Sequence, residues 1–170
     1  MTADAFLRVC ATLDKAAKQG EFVTVGVMGT LEAFTLELHV KCLLLLEEGL
    51  HKRGHDLWTL FKFLSPKTRT ELIQAFEEYV AKWPAFIAES KRKNLPTDLE
   101  SLLIRGRHAF EEFRYGYENV RKSRTVWGLK GFTFVIRERI LEAKPEWENA
   151  LLGKYIKALN PHTSSVEEQG

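Results

Sequence analysis

Apolar residues recur at intervals of three and four along most of the chain, the spacing that is typical of amphipathic α-helices. The first such segment covers residues 2–19, and the most apolar one covers residues 31–46. A helix that is apolar over so much of its circumference normally lies at the centre of a bundle. Residues 21–30 fit either an extended connection or the start of this central helix. Further helices are predicted over residues 55–64, 66–83, from 97 onwards, 132–143 and around 147–159.

Turn-forming and capping residues indicate where these helices begin and end. Gly49 is expected to end the central helix, and Ser65 with Pro66 matches an N-cap followed by proline at the first helical position. Thr97 begins the sequence TDLE, a capping box. Residues 90–96 are predicted to form an exposed loop. We therefore predict an all-α fold, a single up-and-down bundle of four to five main helices plus short extra helices.

The chain has 170 residues, of which 45% are hydrophobic, enough for one domain with its own core. We expect this domain to cover residues 1–160 and residues 161–170 to form a flexible polar tail. Cys10 and Cys42 occupy apolar helical positions without zinc-type spacing, so buried, reduced thiols and no metal or cofactor are expected. No signal peptide or membrane-length apolar run is visible, which predicts a cytoplasmic protein without membrane association.

The small net charge of +2 conceals a basic middle region. Residues 51–130 carry 16 Lys and Arg against 10 Asp and Glu, a net charge of +6, while both flanks are slightly acidic. Arginine presents a planar fork that matches phosphate oxygens. These cations fit either a solvated basic surface or a phosphate-binding surface, and the residues proposed for phosphate contact are Arg105, Arg107, Arg121, Lys122 and Arg124.

Two segments resemble the HEPN superfamily of small helical-bundle proteins. In residues 31–64, a helix with Glu37-x-x-x-Lys41 is followed by a turn and a His-Asp-Leu helix start. Residues 107–118 contain F-x-x-x-R-Y-x-Y-E, which is similar to bacterial members of the group. The resemblance implies a bundle of four to five helices, often a homodimer. It also implies a link to RNA, nucleotides or bacterial defence and toxin–antitoxin systems.

Many catalytic HEPN proteins are metal-independent ribonucleases with an Arg, four to six residues, and then a His on a late helix. In this chain His108 follows Arg105 and Arg107 at shorter distances. We therefore expect a catalytically degenerate module that binds RNA, a nucleotide or a protein partner. One alternative is a ribonuclease with the non-standard set Arg105, His108 and Arg114. The other alternative is a structural interaction protein without a nucleic-acid role.

A second set of polar residues accompanies these motifs and has two interpretations. Glu37 and Lys41, at i and i+4, fit a surface ion pair of about 0.3–0.5 kcal/mol, while His55 and Asp56 fit helix capping. Alternatively, because charges on a very apolar helix tend to be paired or functional, both pairs converge with Arg114 in one polar binding cluster. In that arrangement His55 would donate or accept a proton, a role that its reference pKa of about 6.5 suits.

Overall fold

The computed structural model describes residues 3–19, 25–49, 51–114 and 128–147. Within these ranges the chain forms α-helices and no β-strand, which confirms the predicted all-α fold. The described ranges contain four long helices and four short ones, in agreement with a bundle of four to five main helices and short extra helices. The helices are α1 (Ala3–Lys18), α2 (Val25–Glu48), α3 (Leu57–Phe63), α4 (Pro66–Ala81), α5 (Pro84–Arg92), α6 (Leu99–Arg105), α7 (Ala109–Arg114) and α8 (Leu129–Ala143).

Helix α2 is the central element, as its apolar sequence predicts, and it packs against α1, α3, α7 and α8. Residues 25–30 belong to α2, so this part of the 21–30 segment is the start of the central helix and not an extended connection. Its most deeply buried apolar residues are Ala33, Leu36, Val40, Leu43 and Leu44. The apolar residues of α2 that follow one another at strict steps of three and four are less buried. These residues are all intermediate or exposed: Leu31, Phe34, Leu38, Cys42 and Leu45. Because several helices cover α2, spacing alone does not identify its core side.

A second part of the core lies between α3, α4 and α8. The Phe132 ring meets the Phe61 ring at 6.0 Å and the Phe76 ring at 6.1 Å, both edge-on. This is the preferred geometry of aromatic pairs. All three side chains are almost completely buried. The aromatic cluster therefore packs α8 against α3 and α4.

Several predicted boundaries are confirmed by the cap geometry. Gly49 follows α2 with a φ of +66°, a left-handed conformation that glycine adopts at little cost. The Ser65 hydroxyl accepts a hydrogen bond from the Thr68 backbone N–H at 3.2 Å, and Pro66 is the first residue of α4. The backbone preferences of serine, proline and glycine are therefore sufficient to predict these helix ends.

Other predicted boundaries are wrong, among them the start of α8, which lies at Leu129 and not at residue 132. Asp98, and not Thr97, caps α6, because its carboxylate accepts the Ser101 backbone N–H at 2.8 Å. The predicted loop over residues 90–96 begins later, since α5 continues to Arg92 and Ser90 is completely buried. Pro84 starts a new helix because a proline ring lacks an N–H and fits the first helical position.

The break at Gly106 is important for the site described below. Helix α6 ends at Arg105 and α7 begins at Ala109, so residues 106–108 form a turn. A Cβ at Gly106 would lie 2.5 Å from Cδ1 of Leu129, so a larger residue here would force the Leu129 side chain of α8 to move. The turn thereby holds Arg107 next to the start of α3.

Some predictions concern residues outside the described ranges. These are the first part of the 21–30 segment, the short last helix beyond residue 147 and the tail 161–170, together with the proposed phosphate-binding residues Arg121, Lys122 and Arg124. Across the part of the chain that is described, no helix is both long enough and apolar enough to cross a bilayer.

Candidate functional site

A buried carboxylate in the middle of α2 is the centre of the candidate site. The Glu37 side chain is 1% exposed, yet it lies among polar partners. The Lys41 ammonium donates to Oε1 of Glu37 at 2.7 Å. The Nδ1 atom of His55 lies 3.0 Å from Oε1 and 2.9 Å from Oε2. A buried charge is costly unless it is paired, and these contacts supply the pairing. Glu37 and Lys41 therefore do not form the simple surface ion pair that their spacing also allowed.

His55 projects from the buried carboxylate towards solvent. Its side chain is 42% exposed, and the Phe110 ring of α7 packs against the imidazole at a centroid distance of 5.1 Å. Gly54 precedes it with a φ of +97°, a conformation that favours glycine and turns the chain into α3. One ring nitrogen thus contacts a buried acceptor while the imidazole remains accessible.

Asp56 connects this site to the turn between α6 and α7. Its Oδ1 accepts the Thr59 backbone N–H at 3.0 Å, which confirms the predicted capping of α3. Its Oδ2 accepts from Nε of Arg107 at 3.0 Å and also from a terminal guanidinium nitrogen. The Leu57 backbone N–H donates to the Arg107 carbonyl at 2.9 Å. Partial burial opposes ionisation of Asp56, but the hydrogen bonds from Arg107 and Thr59 outweigh it and lower its pKa.

Of the five side chains predicted to converge, Glu37 contacts both Lys41 and His55. Asp56, the next residue in the chain after His55, binds Arg107 instead, a residue that the prediction did not include. We refer to Glu37, Lys41, His55, Asp56 and Arg107 as the His55 cluster.

Arg114 lies at the border of the His55 cluster. Its guanidinium carbon is 6.0 Å from the centroid of the Phe110 ring, whose contact with the imidazole places Arg114 near His55 through an aromatic side chain. The sequence did not assign Arg107 to the cluster, because 51 residues separate it from Asp56 and no local spacing links the two.

The other predicted phosphate or catalytic residues lie on the surface near this turn. Arg105 is exposed in the last turn of α6. His108 is also exposed, and its Nδ1 lies 3.6 Å from a carboxylate oxygen of Glu111. The described part of the chain thus places Arg105 and His108 on either side of Arg107, while Arg121, Lys122 and Arg124 lie outside it.

A row of aromatic rings connects the site with α1. The Phe6 ring packs edge-on against Phe34 at 4.9 Å, and Phe34 stacks on Phe110 at 4.9 Å. Phe110 in turn contacts the imidazole of His55. Phe110 and Phe113 both pack against the hydrophobic core. The row holds the accessible imidazole at a fixed position.

A second group of charges is structural and was not predicted from the sequence. The Lys130 ammonium of α8 contacts Asp14 of α1 and lies 3.3 Å from a carboxylate oxygen of Glu32 in α2. Burial raises the pKa of Glu32, and Lys130 partly compensates it. Burial also raises the pKa of the neighbouring Cys10 thiol. A thiol with a raised pKa is a poor nucleophile, so these residues join three helices without offering reactive chemistry.

The residue types of the His55 cluster suit anion recognition and proton transfer. Guanidinium and imidazolium groups are good partners for phosphate oxygens, and an imidazole held by a carboxylate can move a proton. Within the described ranges, no group of three or more His, Cys, Asp and Glu side chains is arranged to hold a metal ion.

Comparison with known proteins adds no family to this description. No protein-family model matches the chain, and neither a curated protein nor a solved structure matches it significantly. The resemblance of residues 31–64 and 107–118 to the HEPN superfamily stays a prediction from sequence.

Proposed function

We propose that this chain is a HEPN-like module that binds a phosphate-bearing ligand, either RNA or a free nucleotide, at the His55 cluster. The observation that carries the proposal is the arrangement around Glu37. A buried carboxylate and a capping aspartate hold an accessible imidazole and a half-exposed guanidinium on neighbouring elements. Fixed donors of this kind reduce the entropy that a ligand must overcome to bind.

Arg107 can still donate hydrogen bonds to a ligand although it is paired with Asp56. A guanidinium has five N–H donors, and the Arg107 side chain is 43% exposed. Arg105, the last residue of α6, and His108, the last residue of the turn, flank it in the sequence. The net charge of +6 over residues 51–130 supports attraction of an anion to this region.

The remaining parts of the proposal rest on the resemblance to HEPN proteins. We place the chain among catalytically degenerate, homodimeric members of bacterial defence or toxin–antitoxin systems. Light scattering at tens of micromolar tests the dimer, and a stable monomer at that concentration contradicts it.

Binding is tested with two probes that share phosphate chemistry, a labelled single-stranded RNA and ATP. We expect one of them to bind with an affinity that falls as salt rises, because phosphate contacts release counterions. Arg105→Gln and His55→Gln should each weaken binding by about 10- to 150-fold, the loss expected when a charge-assisted hydrogen bond of 1.5–3 kcal/mol is removed.

The matched control is Lys67→Gln, which removes a cation from α4 at a side chain that is 83% exposed. This variant should bind like the unmodified protein. Equal losses in all three variants would show unspecific attraction to a basic surface. Absence of binding to either probe at low salt contradicts the proposal and favours a structural interaction protein.

A second candidate function, metal-independent RNA cleavage, is favoured by the contact between Glu37 and Nδ1 of His55. A carboxylate on one ring nitrogen orients an imidazole for acid–base work at the other. The test is incubation of RNA with the protein in EDTA. Cleavage that is lost in His55→Ala but retained in His108→Ala supports this site, and the reverse pattern supports the Arg105, His108 and Arg114 set. No cleavage at high protein concentration contradicts both.

A further inference from the structure

The contact between Glu37 and His55 determines which ring nitrogen of His55 carries hydrogen. An ionised carboxylate only accepts hydrogen bonds, and Lys41 donates to the same carboxylate at 2.7 Å. Nδ1, within 3.0 Å of both carboxylate oxygens, is therefore the donor. The proton of the neutral ring is thus on Nδ1, and Nε2 carries a lone pair.

The chemistry that Nε2 offers to a ligand then depends on one proton. In the neutral ring Nε2 carries a lone pair and accepts hydrogen bonds, so it would repel an anionic phosphate oxygen, which is also an acceptor. After protonation Nε2 donates a charge-assisted hydrogen bond, which phosphate oxygens accept well. We propose that His55 is the specificity-determining residue of the phosphate site, and that its Nε2 contacts an anionic phosphoryl oxygen after taking up one proton with the ligand. This inference rests on the proposed function.

The surrounding charges favour His55 as the group that takes up this proton. The other charged groups of the site form two ion pairs. Glu37 and Lys41, both on α2, neutralise each other. Asp56, the N-cap of α3, is neutralised by Arg107 of the α6–α7 turn. From α7, Phe110 covers the ring and Arg114 lies beyond it. Of these side-chain types, histidine is the one that ordinarily changes charge between pH 5 and 8. Arg114 is a permanent cation and therefore cannot take up a proton itself.

The proton is measured by titration calorimetry of the full chain with the probe that binds, single-stranded RNA or ATP. The titration is carried out in two buffers of different ionisation enthalpy, for example PIPES and Tris. We expect uptake of up to one proton per ligand near neutral pH. Affinity should rise on acidification, by at most about tenfold per pH unit, the limit for linkage to one proton.

Substitutions assign the proton to one histidine. His55→Gln should abolish both the uptake and the pH dependence and weaken binding at low pH. His51→Gln, at an exposed turn position before Gly54, is the matched control and should change neither. His108→Gln tests the rival imidazole on the neighbouring turn. Loss of the uptake in His108→Gln and not in His55→Gln overturns the assignment.

Nitrogen-15 NMR of the imidazole tests the same inference without a ligand and without a substitution. We expect the neutral ring to carry its hydrogen on Nδ1, and a hydrogen on Nε2 overturns the inference. Ligand binding without pH dependence also overturns it, while the proposed binding function stands. Absence of binding at every pH overturns both.

Discussion

The pair of Glu37 and Lys41 should be coupled much more strongly than an ordinary helical ion pair. Helix α2 and the turn after it contain a matched control, Glu48 and Lys52, with the same residue types and the same i,i+4 spacing. Both lysine side chains are 25% exposed. The carboxylates differ, because Glu37 is 1% exposed and Glu48 is 38% exposed. Burial of the carboxylate is the main difference between the two pairs; in addition, Lys52 lies beyond the end of α2, and its ammonium is 4.4 Å from the centroid of the Phe63 ring.

The expected magnitudes follow from geometry and exposure. Lys41 lies 2.7 Å from Glu37, a hydrogen bond to a buried charge that is worth about 1.5–3 kcal/mol. We do not expect the 3–5 kcal/mol of a fully buried pair, because water reaches the lysine. Lys52 lies 3.6 Å from Glu48, and exposed pairs of this kind contribute about 0.3–0.5 kcal/mol. The buried pair should thus be coupled at least about three times as strongly.

The assay is a double-mutant cycle at each pair, with alanine substitutions and urea unfolding near pH 7. Cavity and helix-propensity effects of the single substitutions largely cancel in the coupling energy. Added salt should screen the coupling of Glu48 with Lys52 and leave that of Glu37 with Lys41 largely intact. If the two coupling energies are equal, or if salt removes both, Glu37 behaves as a surface residue. The reasoning about the His55 cluster would then be wrong.

Three further outcomes follow from the structure. Asp56→Ala should lower the free energy of unfolding by about 1–2 kcal/mol, and by more than Asp98→Ala, because both substitutions remove a cap and only the first releases Arg107. The folded-state pKa of Asp56 is lowered, so its contribution is complete above the ordinary pKa of aspartate and lost as the pH falls through the folded value. The stability difference between the wild type and Asp56→Asn should therefore shrink in acid, and a difference that persists at low pH contradicts this. Gly29→Ala should destabilise the protein by about 1–3 kcal/mol despite better helix propensity, because its Cβ would lie 2.5 Å from the Phe113 ring. Thermal or urea unfolding measures this loss, and Gly29→Ala with Phe113→Leu should recover part of it unless the ring contact is unimportant.

The sequence was most informative where local physics decides the structure. The apolar character of α2 predicted a central helix, and Ser65, Pro66 and Gly49 marked helix ends by their backbone preferences. Glu37 and Lys41 stood out because charges are unexpected on so apolar a helix, and His55 and Asp56 because they begin a helix in the segment that resembles HEPN proteins. The inferences about the helices and their ends needed only neighbours within one or two helical turns.

Long-range packing decided the rest. The pairing of Asp56 with Arg107 depends on the turn at Gly106, which packs against Leu129 of α8. No spacing in the sequence announces such a contact. For the same reason the sequence missed Lys130 as the link between α1, α2 and α8.

The sequence by itself determined an all-α chain, its central helix and most of the polar residues of the candidate site. Periodicity and capping act over a few residues and are therefore visible in one dimension. The tertiary structure alone decided that Glu37 is buried beneath His55, and that Arg107 completes the cluster. The burial of Glu37 and the pairing of Asp56 with Arg107, 51 residues apart, depend on how the helices pack against one another. That packing is set by the shapes of many side chains together.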